Sequence, residues 1–146
     1  MRQRRAMVDE LCQVCGGPAG ANELGVLWLL DDTVDGRKPG WPEGEVTMHP
    51  PVCLPCAPVA ARECHGMLDG YTAVRVREPQ LYGYYGDLHR AGMGLAGPVP
   101  VVAERGVVVA FTDQRLPWLL CAQLAVRLTG CTVVSLDEEL AAGVGQ

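Results

Sequence analysis

Apolar positions recur along this chain with two periods, and the switches between them mark its elements. Gly25 to Leu30 (Gly-Val-Leu-Trp-Leu-Leu) is an unbroken apolar run between Gly and Asp, which predicts a buried strand. Asp31 to Gly44 is rich in Asp, Gly and Pro and predicts a loop. Glu45 to His49 alternates and predicts a half-exposed return strand, stopped by Pro50-Pro51. From Cys53 to Leu68 the pattern predicts a turn entering a helix. Pro58 stands in its first turn, and Ala57, Ala60 or Ala61, Cys64 and Leu68 lie on one face. Tyr71 to Val76 alternates as a third strand.

Residues 79–98, with their glycines and Tyr82, Tyr84 and Tyr85, read as a connector. Beyond it, 99–103 and 107–111 predict two strands around Glu104-Arg105-Gly106. Asp113 caps a helix expected over 114–128, with Leu116, Leu120, Leu124 and Leu128 as its buried stripe and Gly130 as its stop. Cys131 to Leu136 is a last strand, followed by a loose acidic tail. The expected fold is therefore α+β: a flexible lead (1–10), a Cys-rich unit of knuckle, hairpin, helix and strand (11–78), the connector (79–98) and a ββαβ unit (99–146).

Composition narrows the setting. The 146 residues are 49% apolar and 20% charged, enough apolar content for a compact domain and against wholesale disorder. The net charge of -5 argues against a general nucleic-acid coat. After Met1-Arg2-Gln3-Arg4-Arg5 no apolar stretch follows, so no export signal is read, and no run is long enough for a membrane span. A cytoplasmic setting follows, where thiols stay reduced and the seven cysteines read as metal ligands or buried thiols.

Four of them carry the strongest chemical signal. Cys12-Gln-Val-Cys15 and Cys53-Leu-Pro-Cys56 are two Cys-x-x-Cys pairs with the 37 residues 16–52 between them. Two intervening residues let one turn present both sulfurs to a tetrahedral ion, so one structural zinc is the expected cofactor. Gly16 and Gly17 leave backbone N–H groups free to donate to the sulfurs, which makes Gly17 a supporting residue. His49 is a second supporting candidate, and either His49 or His65 is an alternative to one thiolate. The three-plus-one spacing of ferredoxin clusters is absent. Four thiolates fill a tetrahedral shell, which excludes a catalytic zinc of the open type.

Cys12-Gln-Val-Cys15-Gly-Gly, a hairpin, and Cys53-Leu-Pro-Cys56 leading into a helix resemble a treble-clef zinc finger over residues about 10–70. That resemblance implies a knuckle pair (Cys12, Cys15) and a helix-start pair (Cys53, Cys56), here with an enlarged hairpin. The whole chain is also similar to small uncharacterised cysteine-motif proteins of actinobacteria and their phages, which implies no activity. Treble clefs include HNH nucleases. Those need a general-base His with further His, Asp or Asn ligands, and the pattern departs from this where the chemistry would sit.

The remaining features suggest binding. Arg4 and Arg5 in the lead, Arg75 and Arg77 on one strand, and Trp41 in a Pro-Gly-Trp-Pro loop form the candidate binding surface. The expected function is a non-enzymatic, zinc-stabilised binding or regulatory module with a protein partner. The alternatives are a sequence-specific nucleic-acid-binding regulator, and an enzyme of divergent HNH-like nuclease or thiol redox type.

Overall fold

The computed structural model describes residues 2–31, 38–63 and 70–144. It is α+β, with one mostly antiparallel sheet and, among the described residues, three α-helices. In chain order these are α1 (Arg2–Val8), β1 (Ala21–Asn22), β2 (Gly25–Asp31), β3 (Val46–Thr47), α2 (Ala57–Glu63), β4 (Tyr71–Gly94), β5 (Gly97–Ala110), β6 (Leu119–Val134) and α3 (Leu136–Val144). Single turns of 3-10 helix precede α2 (Leu54–Cys56) and β6 (Leu116–Trp118).

The 24-residue β4 is the spine. β2 pairs with its residues 71–76 and β5 with 83–94, one after the other on the same edge. β6 pairs with residues 73–88 on the opposite edge. β3 adds a short strand outside β6 and does not return along β2, so the enlarged hairpin expected from the sequence is corrected, and β1 lies outside β2.

β2 is buried on both faces, which explains its unbroken apolar run. Val26, Trp28 and Leu30 join Val74, Val76, Leu124, Val126, Leu128 and Met7 on one side. Leu27 and Leu29 join Ala73, Val52, Ala57, Ala60, Leu136 and Cys12 on the other. The fully buried Trp28 donates its indole N–H to the His49 carbonyl at 2.9 Å, so its one polar atom is satisfied.

Several expectations are corrected. The lead is helical: Met7 is buried in the core, and the Gln3 amide bonds both the N–H and the C=O of Leu124, occupying part of the β6 edge as a strand would. The connector is the second half of β4, whose glycines serve close approach. A β-carbon at Gly83 would strike the Val109 carbonyl and one at Gly86 the Leu120 carbonyl, both beside register shifts of the ladder.

The helix expected over 114–128 is a 3-10 turn followed by β6. Leucines four apart satisfy a period of two as well as a helical one, and Leu124, Val126 and Leu128 share one buried face. The two strands expected at 99–103 and 107–111 are one strand, β5. Gly106 stands within it at φ +64 and donates its N–H to the Asp87 carboxylate at 3.0 Å.

The acidic tail is α3. The Ser135 carbonyl and hydroxyl accept from the N–H groups of Glu139 and Glu138, and Asp137, Glu138 and Glu139 fill its first turn, where the helix end favours negative charge. The helix expected to Leu68 runs as α2 to Glu63; residues 64–69 lie outside the described residues.

Candidate metal centre

Two turns carry the paired cysteines. In the first, the Cys12 N–H donates to the Gly17 carbonyl at 2.7 Å, and the Gly16 N–H to the Cys12 carbonyl at 2.9 Å. Gly16 has φ +75, the left-handed conformation that glycine takes without strain. Gly17 therefore supports the turn through its carbonyl, and the Val14 N–H donates to the Cys12 sulfur at 3.4 Å. In the second turn, Cys53 is extended (φ -75, ψ 153), and its carbonyl accepts from both Cys56 and Ala57 at 3.1 Å.

The turns are fastened to each other and to the sheet by backbone bonds. The Gln13 N–H donates to the Pro51 carbonyl at 2.9 Å, and the Val52 N–H to the Leu27 carbonyl of β2 at 3.0 Å.

This framework brings the sulfurs of Cys12, Cys15, Cys53 and Cys56 within 4.8 Å of one another. Cys15 and Cys53, from different turns, lie 3.9 Å apart. Tetrahedral zinc–sulfur bonds of about 2.3 Å set sulfur–sulfur edges near 3.8 Å, so the four donors match a metal ion of that kind after a small contraction. Cys12 is buried, Cys53 and Cys56 are half-buried, and Cys15 is exposed.

The thiols differ in acidity. Burial opposes ionisation of Cys12, but N–H groups of Cys53, Cys15 and Val14 outweigh it and lower the thiol from 9.0 to about 7. Burial pushes Cys53 up to about 12, helped by its sulfur neighbour Cys56. Cys56 is also raised: the contact with the Cys53 sulfur lowers it, while burial and the contacts with Cys15 and Cys12 prevail. A divalent cation among these sulfurs would replace the protons on the raised thiols. With four sulfur donors its shell would be filled, and what it would supply is a cross-link between the two turns.

The other candidate residues are placed elsewhere. His49 is exposed and stands outside the four-sulfur group. His65 and Cys64 lie outside the described residues. Trp41 packs against the core cluster that contains Trp28 and donates its indole N–H to Glu45 at 3.0 Å, so it fastens its loop to the molecule.

Arg75 corrects the expected binding face. It is 5% exposed, and its guanidinium grips the Glu139 carboxylate of α3 and donates to the Gly25 carbonyl at 3.1 Å. The reason lies in its strand position: Arg75 points to the face that α3 covers, and a buried charge there needs a partner. Arg77, two residues on, is exposed. Arg4 lies 5.2 Å over the Tyr84 ring, and Arg5 pairs with Asp9 on the surface of α1.

Sequence reasoning missed the Arg75–Glu139 pair and the role of α3 beside the centre, where Leu136 and Leu140 share a cluster with Cys12, Cys53, Leu54 and Cys56. Its signal was present, since Ser135 stands three residues before Glu138 as in a helix-capping pattern. No described helix is long and apolar enough to cross a membrane. No family model, curated protein or solved structure matches the chain.

Proposed function

We propose that this protein is a non-enzymatic binding module in which one zinc ion, held by Cys12, Cys15, Cys53 and Cys56, ties the front of the chain together. The observation that carries this reading is the convergence of four sulfurs, from turns far apart in sequence, to within 4.8 Å. An all-thiolate set favours zinc over harder cations such as magnesium or calcium. The order of the elements is compatible with a treble-clef-like arrangement in which the short β1–β2 hairpin, rather than the enlarged one expected from the sequence, stands between the knuckle and the 3-10 turn running into α2.

The partner we propose is a protein. The β4–β5 hairpin carries Met93 at 81% exposure and a fully exposed Leu95 at its tip, rigidly based on buried Leu88, Val109 and Leu119. Apolar side chains held outward on a fixed base suit a protein surface better than a phosphate backbone, and the net charge of -5 points the same way.

The test is metal analysis of purified protein, followed by melting with and without a strong chelator. The reading expects about one zinc per chain and loss of most of the cooperative transition on chelation. An unchanged transition after complete metal removal contradicts it.

A further inference from the structure

We propose that Cys15 and Cys53 form a redox-labile pair whose disulfide replaces the metal as the tie between the two turns. The inference rests on the zinc reading above and concerns the regulation of that same site. Three observations carry it. The two sulfurs lie 3.9 Å apart across the turns. Cys15 is the exposed member of the four and Cys53 is half-buried, whereas Cys12 is 1% exposed. The Gln13–Pro51 backbone bond sets the two turns side by side, so that Cys15 and Cys53 face each other across them.

A hydroperoxide arriving from solvent therefore meets Cys15 first. The Cys15 thiolate attacks one peroxide oxygen; the O–O bond breaks, the sulfur becomes a sulfenic acid, and the leaving hydroxide takes a proton to become water. The Cys53 thiolate then attacks the sulfenic sulfur. The S–S bond forms, the S–O bond breaks, and the departing hydroxide is protonated to a second water. Two thiolates, one hydrogen peroxide and two protons give one disulfide and two waters, with two electrons passing from sulfur to peroxide.

The consequence depends on which cysteines pair. A disulfide within Cys12–Cys15 or Cys53–Cys56 closes a small ring inside one turn and leaves the turns untied. A Cys15–Cys53 disulfide joins positions 38 apart and keeps the cross-link in covalent form. Cys12 and Cys56 then remain as only two thiolates, too few to hold zinc in a closed shell. Oxidation thus expels the ion without freeing the turns, an outcome that chelation cannot give.

The experiment uses the full-length chain. Metal content is measured first on reduced protein, so a chain that takes up no metal sinks the zinc reading itself. Loaded protein is then treated with hydrogen peroxide, quenched with an alkylating agent at intervals and mapped by peptide mass. Zinc release is followed with a chromogenic chelator. The expected first disulfide is Cys15–Cys53, with about one zinc released per disulfide and a Tm within about 5 °C of the loaded protein's. The reduced, chelated chain melts far lower, and dithiothreitol with added zinc restores the loaded form. A first disulfide of any other pairing, retention of zinc in the Cys15–Cys53 form, a Tm that falls to that of the chelated chain, or thiols that stay reduced overturns this inference and leaves the zinc reading standing.

Discussion

At the scale of single residues, burial sorts the cysteines. Cys131 is half-buried in the sheet core, and burial together with the Glu43 carboxylate raises its thiol to about 12. In the native chain it should resist an alkylating agent at pH 8, while Cys15 in the metal-free protein reacts readily; rapid labelling of Cys131 in folded protein contradicts this placement. Arg75 and Glu139 make a second residue-scale test. Their side chains are 7% and 13% exposed, so Glu139→Gln leaves a guanidinium buried without its counter-charge. The expected cost is about 3 kcal/mol in denaturant unfolding, and a change under about 0.5 kcal/mol would show that the pair adds nothing. The four metal-site cysteines were legible from spacing alone because two residues between thiols is itself a geometric statement. Arg75 was not, since strand alternation says which residues share a side and not which side a later helix will cover.

At the scale of elements, β4 decides the architecture. Its glycines resemble those of a mobile connector in sequence, yet Gly83 and Gly86 are buried where neighbouring backbone leaves no room for a β-carbon. Gly86→Ala should therefore shift or open the β4–β6 ladder and destabilise the protein by about 2 kcal/mol or more, read as a lower denaturant midpoint; wild-type stability would contradict the close approach. The same ambiguity hid β6. A four-residue leucine spacing fits a helix stripe and one face of a strand equally, and only the long-range pairing with β4 chooses between them. β2 was legible because a run buried on both faces has no alternation to misread. On β5, Pro98 and Pro100 tolerate pairing only where their missing N–H faces away from β4, which blunts the outer edge of the hairpin against further strands.

At the scale of the whole molecule, metal, protons and folding are linked. Cys53 and Cys56 hold their protons above the ordinary thiol range in the metal-free chain, and Cys12 loses its proton near pH 7. Zinc uptake must displace those protons, so affinity rises with pH, with about two or more protons released between pH 7 and 9 and another as pH falls below 7 and Cys12 becomes protonated. The signs in the metal-free chain oppose each other. Cys12, depressed from 9.0, contributes stability that is present above that value and lost as pH falls through about 7. Cys53, raised to about 12, contributes stability that is present below 9.0 and lost as pH rises through its folded value. A zinc titration at several pH values with a competing chelator reads the slope, and an affinity independent of pH would mean that thiols are not the ligands.

The central claim is that four sulfurs share one ion. X-ray absorption at the zinc edge, on protein purified without added metal, tests it most directly. Four sulfur scatterers at about 2.3 Å and about one zinc per chain are the predicted result. A first shell containing nitrogen or oxygen, or a folded chain that carries no metal, would contradict it.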